Sequence, residues 1–556
     1  MSRHVLLPLL LLLTAVYGQV AVKSGGQNKR SRPATRTGFE LSGVAVNSVS
    51  NEPAAHVEIS MGLAEQPNPL QTTVTGADGS FSFRGIAPAK YWLSAHGRGF
   101  AQQGLDEHEG YFTGIAVGAN LDSQNITFRL RPDSSIVGLI TDNDNEAVSG
   151  AEVMLFRTGL EGGETGTYQL QETTTNDEGR YHFGHLAAGS YYIVVSARPW
   201  YAQTPNRGMR TYVKTSAGGQ TEETQIGPPD TSNPALDLTF PLTFYPGVTD
   251  PAGASVIDLQ IGDQTTADVS LTAVPALHIH INGIGTPTGA SLQQQFGSSV
   301  LQVPSQVAES ENGIDIAGVP PGHYLLNMNA GNGAKSWSRP LDLNGDSEID
   351  PSDSAPGIKV SGALRLNGQP AANAVVRLRN RASGLRFDAQ TSDRGEFLLE
   401  TTGFTPGQYE VAVFNVADAA LGSISATGAT VRGHSVQIGG TGAVHLNLTM
   451  SQGLARVEGV ALRDGKPAAG TMVVLVPQKL EENASMVRRD QSDSDGTFAL
   501  PNVLPGKYTV VALADGWRLE WLNPSVMQPF LKAGTPLEIG TGRKYAVKVR
   551  VQSSTP

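Results

Sequence analysis

Apolar and polar residues alternate along most of this chain in short runs, and clusters of Gly, Pro, Asn and Asp separate the runs. Phe81-Ser-Phe83 and Tyr181-His-Phe183 are typical. Successive side chains of a strand point to opposite faces, so a period of two predicts half-buried β-strands, and the punctuating residues predict tight turns between them. The chain reads as all-β.

The whole pattern returns at intervals of about 100 residues, which sets the number of units. Each clear copy opens with a strand that ends in Gly, then a variable turn, then small residues leading into an apolar strand. The copies are Ser42-Gly43-Val44 with Pro53-Ala-Ala-His-Val57, Val137-Gly138 with Val148-Ser-Gly-Ala-Glu-Val153, Val360-Ser-Gly362 with Gln369-Pro-Ala-Ala-Asn-Ala-Val375, and Val457-Glu-Gly459 with Lys466-Pro-Ala-Ala-Gly-Thr-Met-Val473. A Thr or Ser follows, four residues before a Gly that has an aromatic two residues after it: Thr75, Gly79, Phe81; Thr175, Gly179, Tyr181; Thr391, Gly395, Phe397; Ser492, Gly496, Phe498. An Asp-rich turn closing on Gly predicts a hairpin, and the recurring Asp78, Asp177, Asp393 and Asp495 read as turn formers rather than catalytic carboxylates. Tyr91, Tyr191, Tyr409 and Tyr508 start the next strand. A degraded copy has Leu277-His-Ile-His-Ile281 and Pro320-Pro-Gly-His-Tyr324 but no Asp-Gly hairpin. The units expected are 39–132, 133–274 with a long loop insertion at 198–255, 275–356, 357–452 and 453–553.

This consensus resembles the carboxypeptidase regulatory-like domain over nearly all of 39–553, strongly in four units and weakly in 275–356. The resemblance implies tandem seven-stranded Greek-key β-sandwiches of the transthyretin type, close in shape to collagen-adhesin B-type and starch-binding-type modules. Such domains occur as appendages of peptidases, transporters and polysaccharide-active enzymes, and as exported strings of repeats; the chain is similar to the last kind. An extended string is expected, each unit touching mainly its neighbours. The collagen-adhesin likeness also raises an internal isopeptide bond between Lys359 and Asn447, with Glu396, Glu400 or Glu410 as the assisting acid.

Composition narrows the setting. Gly 64 and Pro 33, with only 16% charged residues, disfavour a helix-rich class. Forty basic against 51 acidic side chains, a net charge of −11, argue against a nucleic-acid surface, which needs clustered Lys and Arg. Arg3 and His4 precede an apolar run from Val5 to Leu13, so 1–18 reads as a signal peptide, and 19–38, with five basic and no acidic residues, as a disordered basic linker. That apolar run is shorter than the roughly 20 residues a spanning helix needs, so no transmembrane segment is expected in the mature chain. The absence of Cys removes disulfides, Cys-ligated zinc and thiol nucleophiles, and in an exported chain it favours a bacterial product.

No hydrolase signature is present: no His begins His-x-x-Glu, and Gly-x-Ser-x-Gly is absent, so the chain is expected not to be an enzyme. His278 and His280 could share one strand face and a metal. Asp342, Asn344, Asp346, Glu348, Asp350 and Asp353 have the spacing of a calcium loop, although Ser347 replaces the usual Gly; calcium is the one cofactor the pattern admits. Loop aromatics are the ligand candidates: Trp200, Tyr201, Tyr212 and Tyr245 in the second unit, Trp517 and Trp521 in the last. The function expected is a non-catalytic exported binding or adhesion module, periplasmic or extracellular. By the starch-binding likeness carbohydrate leads, so the partner would be a polysaccharide or a protein at the cell envelope. A structural spacer or scaffold, and accessory domains of an extracellular hydrolase or transport system, remain as alternatives.

Overall fold

The computed structural model describes residues 38–203, 211–217, 220–226, 233–282, 287–310, 313–330, 337–350, 358–399, 404, 406–417, 419–440 and 442–553. The expected signal peptide and, apart from Gly38, the basic linker lie outside the described residues. The fold is all-β, with one α-helix among the described residues, Pro524–Lys532.

In the first unit, strand Phe39–Asn47 pairs antiparallel with Ser80–Ile86 and parallel with Ile126–Leu130. A second sheet, ordered Gln71–Val74, Glu58–Leu63, Ala89–Gly97, Phe100–Gly104, shares one core with it. The same frame recurs. Ser134–Thr141, Leu277–Asn282, Lys359–Leu366 and Ala455–Arg463 each lie between an antiparallel strand and a parallel one that comes later in the chain. The degraded third copy therefore retains the frame despite its lost hairpin motif.

The parallel pairing explains the Gly that ends the first strand motif. A Cβ on Gly138, Gly362 or Gly459 would sit 2.2–2.3 Å from a carbonyl oxygen in, or for Gly138 just after, the parallel strand and 2.4–2.6 Å from the ring of Tyr181, Phe397 or Phe498. The repeated hydroxyl is a buried bridge. Thr391 Oγ1 donates to the Ala371 carbonyl at 2.7 Å and accepts the Ala374 N–H at 3.0 Å, tying the small-residue turn to the hairpin. Thr75, Thr175 and Ser492 make the same pair of bonds in their own units. The repeated Tyr hydroxyl donates to the carbonyl four residues earlier: Tyr91 to Ala87, Tyr191 to Ala187, Tyr324 to Pro320 and Tyr508 to Leu504. A Tyr body fills the core while its polar tip satisfies a turn carbonyl that would otherwise be buried unpaired.

Two sheets are covered on both faces. In the second unit Val153, Leu155, Ile193 and Val195 point into its own core, while Met154, Phe156 and Val194, on the other face, join the core of the third unit. Phe296 seals that joint against the rings of Phe156, Tyr192 and Phe244 at 5.0, 5.5 and 4.9 Å. In the fifth unit every residue of strand Met472–Pro477 is buried. Val473 and Leu475 face inward; Met472, Val474 and Val476 face a cover made by Trp517, Trp521, Leu522 and the helix residues Met527 and Phe530. The helix starts on Asn523, whose side chain accepts the Ser525 N–H, with Pro524 in its first turn.

Two expectations are corrected. The 198–255 region is not wholly a loop: Thr243–Phe244 pairs with strand Gly189–Ser196, and Phe240, Leu242 and Phe244 are buried, because their apolar side chains complete the two cores on either side of that sheet. Nor are the units an extended string, since the first docks on the fifth.

The hydroxyl bridge predicts its own test. Thr391→Val keeps the shape but leaves a buried N–H and carbonyl unpaired, a loss of about 1–3 kcal/mol. Urea unfolding of the full chain should show that loss in the transition of this unit, with Thr391→Ser recovering most of it. A Val variant as stable as the parent overturns the account.

Candidate functional site

The segment 104–117 of the first unit, a loop that ends in the short strand Ile115–Val117, lies against strand Arg488–Gln491 of the fifth and the turn after it. At its centre the Arg489 guanidinium sits 4.2 Å over the Trp521 ring, 5.1 Å from Tyr111 and 5.6 Å from Trp517, and pairs with Glu109 at 2.7 Å. His108 stacks on Trp517 with ring centres 5.4 Å apart and planes 7° from parallel. Gln491 donates to the Asp106 carbonyl and Thr113 Oγ1, both at 2.8 Å. Asp493 accepts the Gly114 N–H at 3.0 Å and pairs with Lys90, and Ser494 Oγ accepts the Ala116 N–H at 2.9 Å. The hairpin turn of the fifth copy thus carries Asp493 and Ser494 as docking groups beside Asp495, whose carboxylate closes the turn on Thr497.

The second unit reaches the same place with the tip of its long hairpin, Glu161-Gly-Gly-Glu164. Gly163, at φ +89°, lies so close under Trp521 that a Cβ there would be 2.4 Å from the indole, and its carbonyl accepts the Leu522 N–H at 3.1 Å. Glu164 pairs with Arg379 and, at 3.7 Å, with Arg381 of the fourth unit; Glu161 pairs with Arg386 at 3.2 Å. The fourth unit also meets the fifth through His434, whose N–H donates to the Glu482 carbonyl and whose ring lies 2.8 Å from Ser485 Oγ.

Between these contacts lies a cleft of about 870 Å³, bordered by Arg377, Arg379, Arg386, Arg488, Arg489 and the carboxyls of Glu161, Glu410 and Asp490. Burial pushes Asp490 up to about 6 and raises Glu410. Arg488 donates to the carbonyls of Ser485, Val487 and Asn502, and burial lowers its pKa. Arg379, Arg386 and Arg489 are matched by carboxylates of another unit, so the cluster acts as an electrostatic clamp.

The residues singled out from the sequence are dispersed. Trp517 and Trp521 are 7% and 5% exposed, packed into the junction instead of displayed, because they cover the outer face of Met472–Pro477. Tyr245 is half-buried against the second unit's core. Tyr212 belongs to strand Thr211–Ala217, and its side chain lies outside the described residues. Trp200 and Tyr201 do come together: Trp200 is 85% exposed, and the two rings meet edge to face at 5.7 Å. Burial raises the Tyr201 hydroxyl pKa, helped by the nearby carboxylates of Asp142, Asp144 and Glu146.

The calcium spacing does not become a calcium loop among the described residues. Asp342 is on strand Trp337–Leu343 and Glu348 on Ser347–Ile349, which belong to opposite sheets. Asp342 faces His323 and Asn344, Asp346 accepts the His278 N–H, and Glu348 accepts from Asn282. Asp350 follows the second of these strands, and Asp353 lies outside the described residues. No group of three or more metal-capable His, Asp or Glu side chains converges among the described residues. His278 and His280 turn to different carboxylates, Asp237 at 2.6 Å and Asp315 at 2.7 Å. Lys359 pairs in register with Ala443 and Asn447 with Ala363, which separates the two ends of the expected isopeptide bond along the strands.

Comparison with known proteins agrees with this architecture. Residues 135–226 match the family model of the carboxypeptidase regulatory-like domain, and 36–104 and 455–528 match that of the BOS complex subunit NOMO1-like, second beta sandwich domain. Those stretches of the chain are similar to such domains, and the structure repeats its sandwich frame in tandem. Both matched families are of non-catalytic sandwich type. No curated protein matches the chain. Among solved structures it is similar to the Bacillus anthracis TIE protein, with 13% identity, 72% of this chain and 68% of that one covered, and a TM-score of 0.14. A streptococcal ancillary pilin gives 12%, 50%, 98% and 0.18, and the minor pilin GBS52 of Streptococcus agalactiae 11%, 43%, 97% and 0.20. No helix among the described residues of this tandem sandwich protein is long and apolar enough to cross a membrane.

Two tests follow from the junction. Arg489→Met removes the charge that Glu109 and three rings hold, so small-angle scattering should show a larger radius of gyration, and limited proteolysis should cut 104–117 faster; an unchanged profile on both counts refutes the clamp. Asp490 has a folded pKa raised from the usual 3.8 to about 6, so its contribution to stability is full below the lower value and lost as pH rises through the higher. Relative to the parent, Asp490→Asn should therefore gain roughly 1–3 kcal/mol between pH 4 and pH 7 in urea unfolding. A difference that is flat or falls with pH contradicts the assignment.

Proposed function

We propose that this protein is a non-catalytic, exported binding module of the cell envelope, periplasmic or extracellular, that holds a polysaccharide on loop aromatics while the clamped sandwiches serve as scaffold. The observation that supports this most is the Trp200 and Tyr201 pair. Leaving an indole in water forgoes on the order of 2–3 kcal/mol of transfer free energy, so packing does not account for Trp200. Its exposed faces suit the C–H faces of a sugar ring. The exposed carboxylates of Asp144 and Glu146 near Tyr201 are acceptors for sugar hydroxyls, whereas Asp142 is buried and caps the turn that carries them.

A protein-binding scaffold is the second reading. It is favoured by the match of 36–104 and 455–528 to a family named for a subunit of a complex.

A glycan array on the mature chain, run in calcium and in chelator, tests the first reading. Binding is expected, with a tenfold or greater loss in folded Trp200→Ala and a smaller loss in Tyr201→Phe. Clean absence of binding in both conditions sinks the carbohydrate reading and leaves the scaffold.

A further inference from the structure

In four of the five units the residue after the repeated Tyr occupies the outer face of its sheet, and its fate differs. In the second unit it is Tyr192, covered by Phe296 of the third. In the fourth it is Glu410, inside the inter-unit cleft. In the fifth it is Thr509, where a Cβ on Gly534 would come within 2.5 Å of its methyl. In the first unit it is Trp92, and the space above it is a cleft of about 680 Å³ lined by the first unit alone.

Trp92 is held as a platform. It pairs in register with Gly62, and a Cβ on Gly62 would be 2.4 Å from the indole, so the ring lies against the strand in the room that Gly leaves. The indole N–H donates to the Gln66 carbonyl at 2.8 Å, which fixes the ring's rotation. Around it stand Phe112, Glu65, Gln102 and Glu107. The neighbouring Gln103 amide is spent on Arg129 and Arg131, whereas Gln102 is exposed and its amide has no hydrogen-bond partner among the described residues. Glu107 uses one oxygen on the Gly104 N–H, and its other oxygen has none there. A fixed aromatic floor with a spare amide and spare carboxylate oxygens at its rim matches a ring with one C–H face and equatorial hydroxyls. The two carboxylates make the rim negative, so it repels uronates and sulfated sugars.

We propose that this cleft is a second saccharide site, specific for neutral sugars, with Trp92 as its floor and Gln102 and Glu107 as its hydroxyl-binding groups. The proposal rests on the carbohydrate reading above but names a different site. Isothermal titration of the full chain with maltohexaose, cellohexaose, xylohexaose, mannohexaose and chitohexaose, with polygalacturonate as the anionic control, tests it. At least one neutral hexaose should bind and polygalacturonate should not. Trp92→Ala and Gln102→Ala should each weaken that binding tenfold or more; Gln102 is exposed, so its variant separates binding from folding. Binding unchanged in both variants overturns the site, and if Trp200→Ala abolishes it the carbohydrate reading stands without this cleft. Binding lost in Trp92→Ala and Gln102→Ala but intact in Trp200→Ala supports the cleft and overturns the Trp200 placement. A preference for polygalacturonate overturns the specificity, and no binding to any probe overturns both proposals.

Discussion

One partly buried cation organises the contacts between units. Arg489 is useful because of what surrounds it: a guanidinium over an indole contributes about 0.5–2 kcal/mol, and an exposed ion pair alone about 0–1 kcal/mol. Here both act on the same group, with Glu109 supplied by the first unit and Trp521 by the fifth. Either partner alone would leave a charge short of solvent and short of compensation. The second unit's hairpin tip can then slide under Trp521 only because Gly163 has no side chain to clash with the ring.

Around that cation the units use two kinds of outer surface. Those of the second and fifth are apolar and are buried by a neighbouring core or by the strap that carries the helix. That of the fourth is charged: strand Val375–Asn380 alternates buried Val376 and Leu378 with Arg377 and Arg379, and Arg379 reaches for Glu164. Apolar covering supplies cohesion without direction, while the arginine pairs impose register, so the two together give one arrangement of units.

The repeat frame was legible because each of its marks has a local cause. The Gly of the first strand faces a ring and a carbonyl, the Thr or Ser bridges a turn, and the Tyr closes a corner; each leaves a fixed spacing in the chain. The docking of units left no such spacing, since His108, Arg489 and Asp493 are unremarkable polar residues until the fold brings them together. The expectation of an extended string assumed contacts between sequence neighbours, and that assumption fails here. One signal was available: Met472-Val-Val-Leu-Val476 and Val153-Met-Leu-Phe156 abandon the alternation kept elsewhere, as strands covered on both faces must. The same runs explain why Trp517 and Trp521 are buried, although their positions suggested display. Within 342–353 the spacing gave no sign that Asp342 and Glu348 stand on strands of opposite sheets.

Closure also changes how the molecule bears load. Lys90 and Asp493 are 403 residues apart in sequence yet in contact, so the first and last units form a shunt across everything between them. Tension applied between Phe39 and Ser553 therefore meets this junction before it can extend the chain between them. The second and fourth units, which also meet the fifth, brace the junction from the side, so their contacts share the load with it.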